Sequence, residues 1–220
     1  GSSIGVEVVE DYETALKLSS NSKIYSPDET FTYKDLEVEA RRVANGLAHL
    51  GVSQGDRVGF WLPNIKAYLA LLGACGHLGA IAVAMNTRFR KAEIEDVIRR
   101  VEPKVIAFVS SIGRTNNIEV IKEVEPALLS KCSALIQCDK ENLADIPSVE
   151  FMSYDTLVRS EPINYSLGEP QSPFCIFNTS GTTSLPKFVT RDFYGYNIHL
   201  HSLDFRTHSP DLQEFEPKQR

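Results

Sequence analysis

Residues 57–109, RVGFWLPNIKAYLALLGACGHLGAIAVAMNTRFRKAEIEDVIRRVEPKVIAFV, set the architecture. Arg57 to Leu62 reads as a strand that follows the Gly55-Asp56 turn and is closed by Pro63-Asn64. Asn64 is positioned to cap a helix running to about Leu78. That helix is apolar almost all round, so it is expected between layers, and Gly73, Gly76 and Gly79 permit close packing against a sheet. His77 near its end reads as a hydrogen-bonded core histidine. Ile81 to Met85 is a continuous apolar strand, the pattern of a parallel strand covered on both faces. Lys91 to Val101 forms a helix with Ile94, Val97, Ile98 and Val101 inward, Pro103 ends it, and Lys104 to Val109 is the next strand. Arg99, Arg100, Glu93, Glu95 and Asp96 read as solvated charge on that helix.

The same alternation extends to both sides. On the N-terminal side, Asp11 to Ser19 is expected to be a helix and Ile24-Tyr25 a short strand. Thr30-Phe31-Thr32 then leads into a helix whose apolar stripe is Leu36, Ala40, Val43, Leu47 and Leu50. Thr32 and Asp35 have capping-box spacing, Gly51 sits at the C-terminal glycine position, and Glu37, Glu39, Arg41, Arg42, Asn45 and His49 take the other faces. On the C-terminal side, Gly113 to Asn117 is a turn, Asn117 to about Leu129 is a helix broken at Pro126, and Ala134 to Ile136 is a strand. Residues 139–172 are polar, with Phe151-Met152 and a short helix from Tyr154 to Arg159. Strands and helices in this order specify an α/β fold, an open and mostly parallel sheet with helices on both faces and right-handed crossovers.

Phe174 to Phe177 is one more apolar strand, and Phe188-Val189 is a second apolar pair. Between them lies Thr179-Ser180-Gly181-Thr182-Thr183-Ser184-Leu185-Pro186-Lys187, with five hydroxyl side chains, a Gly, a Pro, a terminal Lys and no carboxylate. Hydroxyls donate hydrogen bonds, a Gly lets backbone amides approach closely, and a Lys adds a mobile positive charge. Such a loop suits a nest of donors around phosphate oxygens. The same residue types also build ordinary surface turns, and the Walker A spacing is absent. Residue chemistry alone therefore leaves phosphate loop and plain turn both open.

Composition narrows the function classes. The formal net charge of −6 argues against a general nucleic-acid or membrane-surface binder, and no apolar run is long enough for a membrane helix. No secretory signal is expected, Gly1-Ser2-Ser3 resembles a tag remnant, and the expected location is cytoplasmic. Cys75, Cys132, Cys138 and Cys175 form no CxxC pair and read as reduced core thiols. His199 and His201, two apart, would not share a helix face, and no Cys or carboxylate completes a metal set with them and His208.

Residues 176–187, IFNTSGTTSLPK, resemble the signature loop of the adenylate-forming superfamily: acyl- and aryl-CoA ligases, peptide-synthetase adenylation domains and luciferases. Ser184 stands where Gly is commoner in that loop. Residues 31–64 are similar to the family's opening segment and residues 74–109 to its next one, and Met85-Asn86-Thr87-Arg88 resembles acyl- or aryl-CoA ligases more than amino-acid-activating domains. The resemblance implies the N-terminal part of the family's large domain. It divides the chain into an α/β subdomain over 1–172 and the start of the next subdomain over 173–220, with a polar, flexible end from about Thr207.

It also implies the chemistry. A carboxylate attacks the α-phosphorus of ATP, giving an acyl-adenylate and pyrophosphate, and a thiol, often coenzyme A, then takes the acyl group. Carried over by position, Thr179, Ser180, Gly181, Thr182, Thr183, Ser184 and Lys187 contact the ATP phosphates, with Mg²⁺ sharing the charge. No catalytic residue is assigned, because in the family the adenine pocket, the magnesium-holding Glu segment, the ribose-binding Asp, the hinge and the catalytic Lys come later. Phe188 replaces the usual Gly after Lys187, and Thr190-Arg191-Asp192 replaces a Thr-His pair. The expectation is an N-terminal fragment of an ATP-dependent ligase for a small carboxylic acid, inactive alone. The alternative is a non-catalytic nucleotide-binding or assembly domain on the same scaffold.

Overall fold

A computed structural model describes residues 23–25, 30–169, 171–179, 187–192 and 213–214. The expected helix at Asp11–Ser19, loop residues 180–186, the histidines at 199, 201 and 208 and most of the polar end lie outside the described residues. The elements run β1 (Lys23–Tyr25), β2 (Thr30–Thr32), α1 (Tyr33–His49), β3 (Arg57–Trp61), α2 (Lys66–Leu78), β4 (Ile81–Ala84), α3 (Lys91–Val101) and β5 (Val105–Phe108). They continue with β6 (Ser111–Ile112), β7 (Thr115–Asn116), α4 (Asn117–Glu123), α5 (Pro126–Leu129), β8 (Ala134–Gln137), β9 (Phe151–Ser153) and α6 (Tyr154–Val158). Last come β10 (Pro173–Thr179), β11 (Lys187–Asp192) and β12 (Gln213–Glu214).

One eight-stranded sheet has the order β12-β11-β10-β4-β3-β5-β8-β9. The six strands from β10 to β9 are all parallel, and β11 and β12 add an antiparallel edge. Successive side chains of a strand point to opposite faces, and the burial follows that period. Val58, Phe60, Ala82, Val105, Ala107, Ala134 and Ile136 face one core, shared with Val43, Leu47, Leu71, Ala74 and Leu157 from α1, α2 and α6. Trp61, Ile81, Val83, Ile106, Phe108 and Leu135 face the other, shared with Ile94, Ile98, Ile121 and Leu129 from α3, α4 and α5. The chain goes from β3 to β4 through α2 on the first face. It then passes β3 to reach β5 through α3 on the second, so the direction of travel and the face reverse together, as crossovers of one hand require.

The caps follow the sequence in part. Thr32 Oγ1 accepts from the Asp35 amide at 3.1 Å and the Asp35 carboxylate accepts from the Thr32 amide at 2.9 Å, the expected capping box. Gly51 takes φ 86°, as a residue just past a helix end does. Asn64 does not cap α2: Ile65 is the N-cap, without a side-chain bond, because the chain after Pro63 makes a turn in which the Ile65 amide donates to the Pro63 carbonyl at 2.9 Å. Gly79 serves that helix as its left-handed terminator, at φ 66°. Lys91–Val101 and the break before Pro126 match the expectations.

Three differences share one cause: a strand of two or three residues is too short to show a periodic pattern in a sequence. Thr30–Thr32 is a strand against β1, Phe151–Ser153 closes the far edge of the sheet, and Gln213-Glu214, from the polar end, pairs with Val189-Thr190. The turn at Gly113 is the tip of the β6–β7 hairpin.

Several charges of α1 and α3 are less solvated than their helix faces suggested, while His49 and Arg99 are exposed as expected. Glu37 pairs with Arg41 at 2.7 Å and with His77 Nε2 at 3.0 Å, and His77 is buried, as expected of a core histidine. Glu39 holds Lys66 at 2.7 Å and accepts from the Tyr154 hydroxyl at 2.7 Å. These groups lie where α2 and the segment after α6 pack over the polar flank of α1; the same cover takes hydrogen bonds from Arg41, Arg42 and Asn45 to the carbonyls of Ile163, Ser160 and Glu161. Glu95 is buried because its Oε1 accepts from the Glu125 amide at 3.0 Å, stitching α3 to the start of α5.

A tight seam runs between α1 and α6. A Cβ at Gly46 would stand 2.9 Å from Leu157 Cα and 2.8 Å from its Cγ. Ala in place of Gly gains about 1 kcal/mol of helix propensity, but overpacking against backbone costs about 1–3 kcal/mol. Gly46→Ala is therefore expected to lower unfolding free energy in a urea titration by about 1 kcal/mol net; a stabilised variant would contradict this packing.

Candidate functional site

The site begins with the polarity of the sheet. In register, β10 pairs with β4 through Cys175↔Ala82 and Ile176↔Val83, so β10 ends on the same side as the carboxyl ends of β3, β4, β5, β8 and β9. That side is where open α/β sheets hold ligands. β10 then turns back as β11 with Asn178 opposite Phe188 and Thr179 opposite Lys187. The backbone thus brings Thr179 and Lys187 together as the pair that closes the loop. Ser180, Gly181, Thr182, Thr183 and Ser184 lie outside the described residues.

Phe188 is 3% exposed and sits in the second-face core with Ile176. The guanidinium carbon of Arg100 lies 4.6 Å from the centre of its ring, and Asp96 Oδ2 accepts from Arg100 Nη1 at 3.0 Å. An Arg over an aromatic face is attracted by the ring's negative quadrupole.

Two further groups flank the loop's side of the sheet. After β4, Asn86 Oδ1 accepts from the Arg88 amide at 2.9 Å, and Arg90 donates to the carbonyls of Arg88 and Phe89 and to Thr115 Oγ1. After β5, an open cleft is lined by Ser110, Arg114, Thr115, Asn116, Glu141 and Asn142. Its lining residues Ser110, Glu141 and Asn142 are held by hydrogen bonds with Gln137 and Asp139. Gln137 is buried at the end of β8, donates to Asp139 Oδ1 at 3.0 Å and accepts from the Ala144 amide at 3.1 Å. The Asp139 carboxylate also accepts from the amides of Ser110 and Glu141. Sequence reading passed over this pair; the available signal was a polar residue ending an otherwise apolar strand, followed two residues later by a carboxylate.

Burial works against ionisation of Asp139, but the hydrogen bonds from Ser110, Gln137 and Glu141 outweigh it and hold its acidity below the usual carboxylate range. The Glu125 amide, helped by Lys91 and Arg99 against the cost of burial, does the same for Glu95. Cys75, Cys132 and Cys175 are buried in the cores, and burial pushes the Cys132 thiol up to about 12. These are packing thiols rather than nucleophiles. Among the described residues no three His, Cys, Asp or Glu side chains gather as metal ligands, and no helix is long and apolar enough to cross a membrane.

An open, mostly parallel α/β sheet whose strand β10 turns back as a hairpin at the carboxyl ends of its neighbours defines a class of open-sheet α/β proteins. Within that class, the chain belongs to the family described as AMP-binding enzyme, which matches residues 12–214. It is 28% identical over 188 residues to human "Acyl-CoA synthetase short-chain family member 3, mitochondrial", covering 82% of this chain and 27% of that protein. It is 29% identical over 181 residues to "Acetyl-coenzyme A synthetase" of Pyrobaculum aerophilum, covering 78% of this chain and 27% of that protein. The solved structure of the anthranilate CoA ligase AuaEII in complex with anthranoyl-AMP has the same fold over 87% of this chain and 35% of that one, with a TM-score of 0.75 at 21% identity. The chain thus spans about a quarter of the length of these two curated relatives, 27% of each.

Asp139 yields a test of the cleft's wall. A carboxyl group whose acidity is strengthened by folding stabilises the native state above its unfolded value of about 3.9, and that contribution fades as pH falls through the folded value. Asp139→Asn is expected to cost about 1–2 kcal/mol at pH 7, a charge-assisted hydrogen-bond set being weakened. The gap between wild type and variant should close below about pH 4. Urea titrations at a series of pH values check this; a gap that widens on acidification would contradict it.

Proposed function

We propose that this chain grips the triphosphate of ATP in the carboxylate-activating step of an acyl-adenylate-forming ligase of the acyl- or aryl-CoA kind. The observation that carries the reading is the Thr179↔Lys187 pair, which closes a seven-residue loop, 180–186, beyond the carboxyl ends of six parallel strands. The donor set fits the ligand: Thr179, Ser180, Thr182, Thr183 and Ser184 supply hydroxyls, Gly181 removes the side chain that would keep the backbone at a distance, and Lys187 supplies charge. No carboxylate in the loop competes for these donors.

In the reaction, the work of these residues is to hold and neutralise the phosphates that leave as pyrophosphate while the acid attacks the α-phosphorus. Mg²⁺ brought with the nucleotide would share that neutralisation. The loop holds no acidic ligand for the ion, so the ion would rest on phosphate oxygens and on groups elsewhere in the ligase. Coenzyme A as the final acceptor, and a small carboxylic acid as the substrate, are supported by the names of the curated relatives. The division of the chain at 172/173 belongs to the same proposal, as does a cytoplasmic location, for which the acidic balance and buried free thiols speak.

The test is nucleotide-dependent stability. Mg-ATP at ~100 times its Kd should add about 2.7 kcal/mol to the unfolding free energy of the chain. Lys187→Ala should remove most of the accompanying rise in Tm. In a full-length ligase carrying this segment, the same change is expected to slow acyl-adenylate formation about 10²-fold or more. A wild-type chain with no Mg-ATP shift, or a variant with the full one, would contradict the phosphate-loop reading and favour a scaffold that binds or assembles without the chemistry.

A further inference from the structure

Phe188 directly follows Lys187, and its backbone pairs with Asn178, one step inside the pair that closes the loop. Its ring is almost wholly buried among the residues that α3 and β10 turn to the second-face core. The outer side of the ring is covered by Arg100, which Asp96 holds in place one helical turn earlier. We infer that Phe188, capped by Arg100, is the positioning residue of the loop: it locks the register of the hairpin and so fixes where Lys187 leaves the sheet. The inference rests on the phosphate-holding reading of that loop.

A one-residue slip of β11 would turn every side chain of the strand to the opposite face. It would take the Phe188 ring out of the core and away from the guanidinium, and Thr179 would no longer face Lys187. Of the β11 side chains that are described, Phe188 is the one buried in a core. β10 has a register irregularity between Pro173 and Cys175, and the only strand on the far side of β11 is the two-residue β12 among the described residues. The Phe188–Arg100 contact also ties the loop to α3, the helix that follows Met85-Asn86-Thr87-Arg88 at the carboxyl end of β4. Neither residue needs to touch the nucleotide.

The test uses the full chain with Phe188→Leu, Arg100→Met, their double variant, and Phe188→Tyr, which restores a ring. Two readouts are taken: hydrogen exchange of the hairpin amides, with those of β3 and β5 as internal reference, and the Kd for Mg-ATP by calorimetry. One cation–π contact at a partly exposed site corresponds to about 2–5-fold in an equilibrium. Arg100→Met should therefore speed hairpin exchange and weaken Mg-ATP binding each by about 2–5-fold, leaving β3 and β5 unchanged. Phe188→Leu should do at least as much, Phe188→Tyr should restore both, and adding Arg100→Met to Phe188→Leu should do little more. Hairpin exchange at wild-type rates in both single variants overturns the inference, as does a double variant whose loss is the product of the two single losses. If wild type binds Mg-ATP, Lys187→Ala abolishes that binding and Arg100→Met leaves it untouched, the positioning role alone is wrong. If wild type shows no saturable binding, the phosphate-loop reading fails and the positioning role falls with it.

Discussion

The parallel pairing of β10 with β4 is the constraint on which the site depends. Two register points, Cys175↔Ala82 and Ile176↔Val83, give β10 its direction, and direction decides at which edge of the sheet the hairpin loop emerges. Had β10 joined antiparallel, the same residues would open at the opposite edge, away from the turns that follow β4, β5 and β8. The pairing is held by burial on both sides. Cys175 and Phe174 belong to the first-face core, and Ile176 to the second. A strand covered on both faces cannot slip without exposing apolar surface, at about 25 cal/mol for each Å².

The inner strands show why such a sheet tolerates so little change. Gly59 in β3 leaves little room for a Cβ, which would meet Met85 Sδ and Ile106 Cγ1 at 3.0 Å. Small residues recur where helices press close, at Ala82 and Ala107 on the first face and at Gly46 in α1. Several polar groups inside this packing are satisfied by other protein groups: Glu37 with Arg41 and His77, Glu39 with Lys66 and Tyr154, and Gln137 with the loop that follows it. Each arrangement ties two elements together, so removing one partner loosens the contact between them.

Most of the fold was legible because its signals are periodic and local. The stripe of α1, the ends of α3 at Lys91 and Val101, and the break before Pro126 follow from apolar spacing and from proline chemistry. What was not legible depended on distant partners. Glu37, Glu39 and Glu95 look like solvent-facing charges until another element covers them, and no feature of α1 alone announces that residues 160–163 will lie over it. Phe151–Ser153 and Gln213-Glu214 become strands only because a neighbour offers a free edge. At the candidate site the balance is reversed. Residue types carry the chemistry of the loop, and the geometry adds its place in the sheet and the closing pair Thr179↔Lys187. Phe188, which in the sequence is only a departure from a family pattern, acquires a physical role once Arg100 is seen over its ring.

Site-resolved amide chemical shifts recorded while Mg-ATP is titrated into the chain test the central claim most directly. If the loop grips triphosphate, the largest saturable shifts fall on the amides of Ser180 to Lys187, excepting Pro186, with smaller ones at the carboxyl ends of β4 and β10. Saturable shifts that cluster on another face of the sheet and leave those amides unmoved would contradict the account.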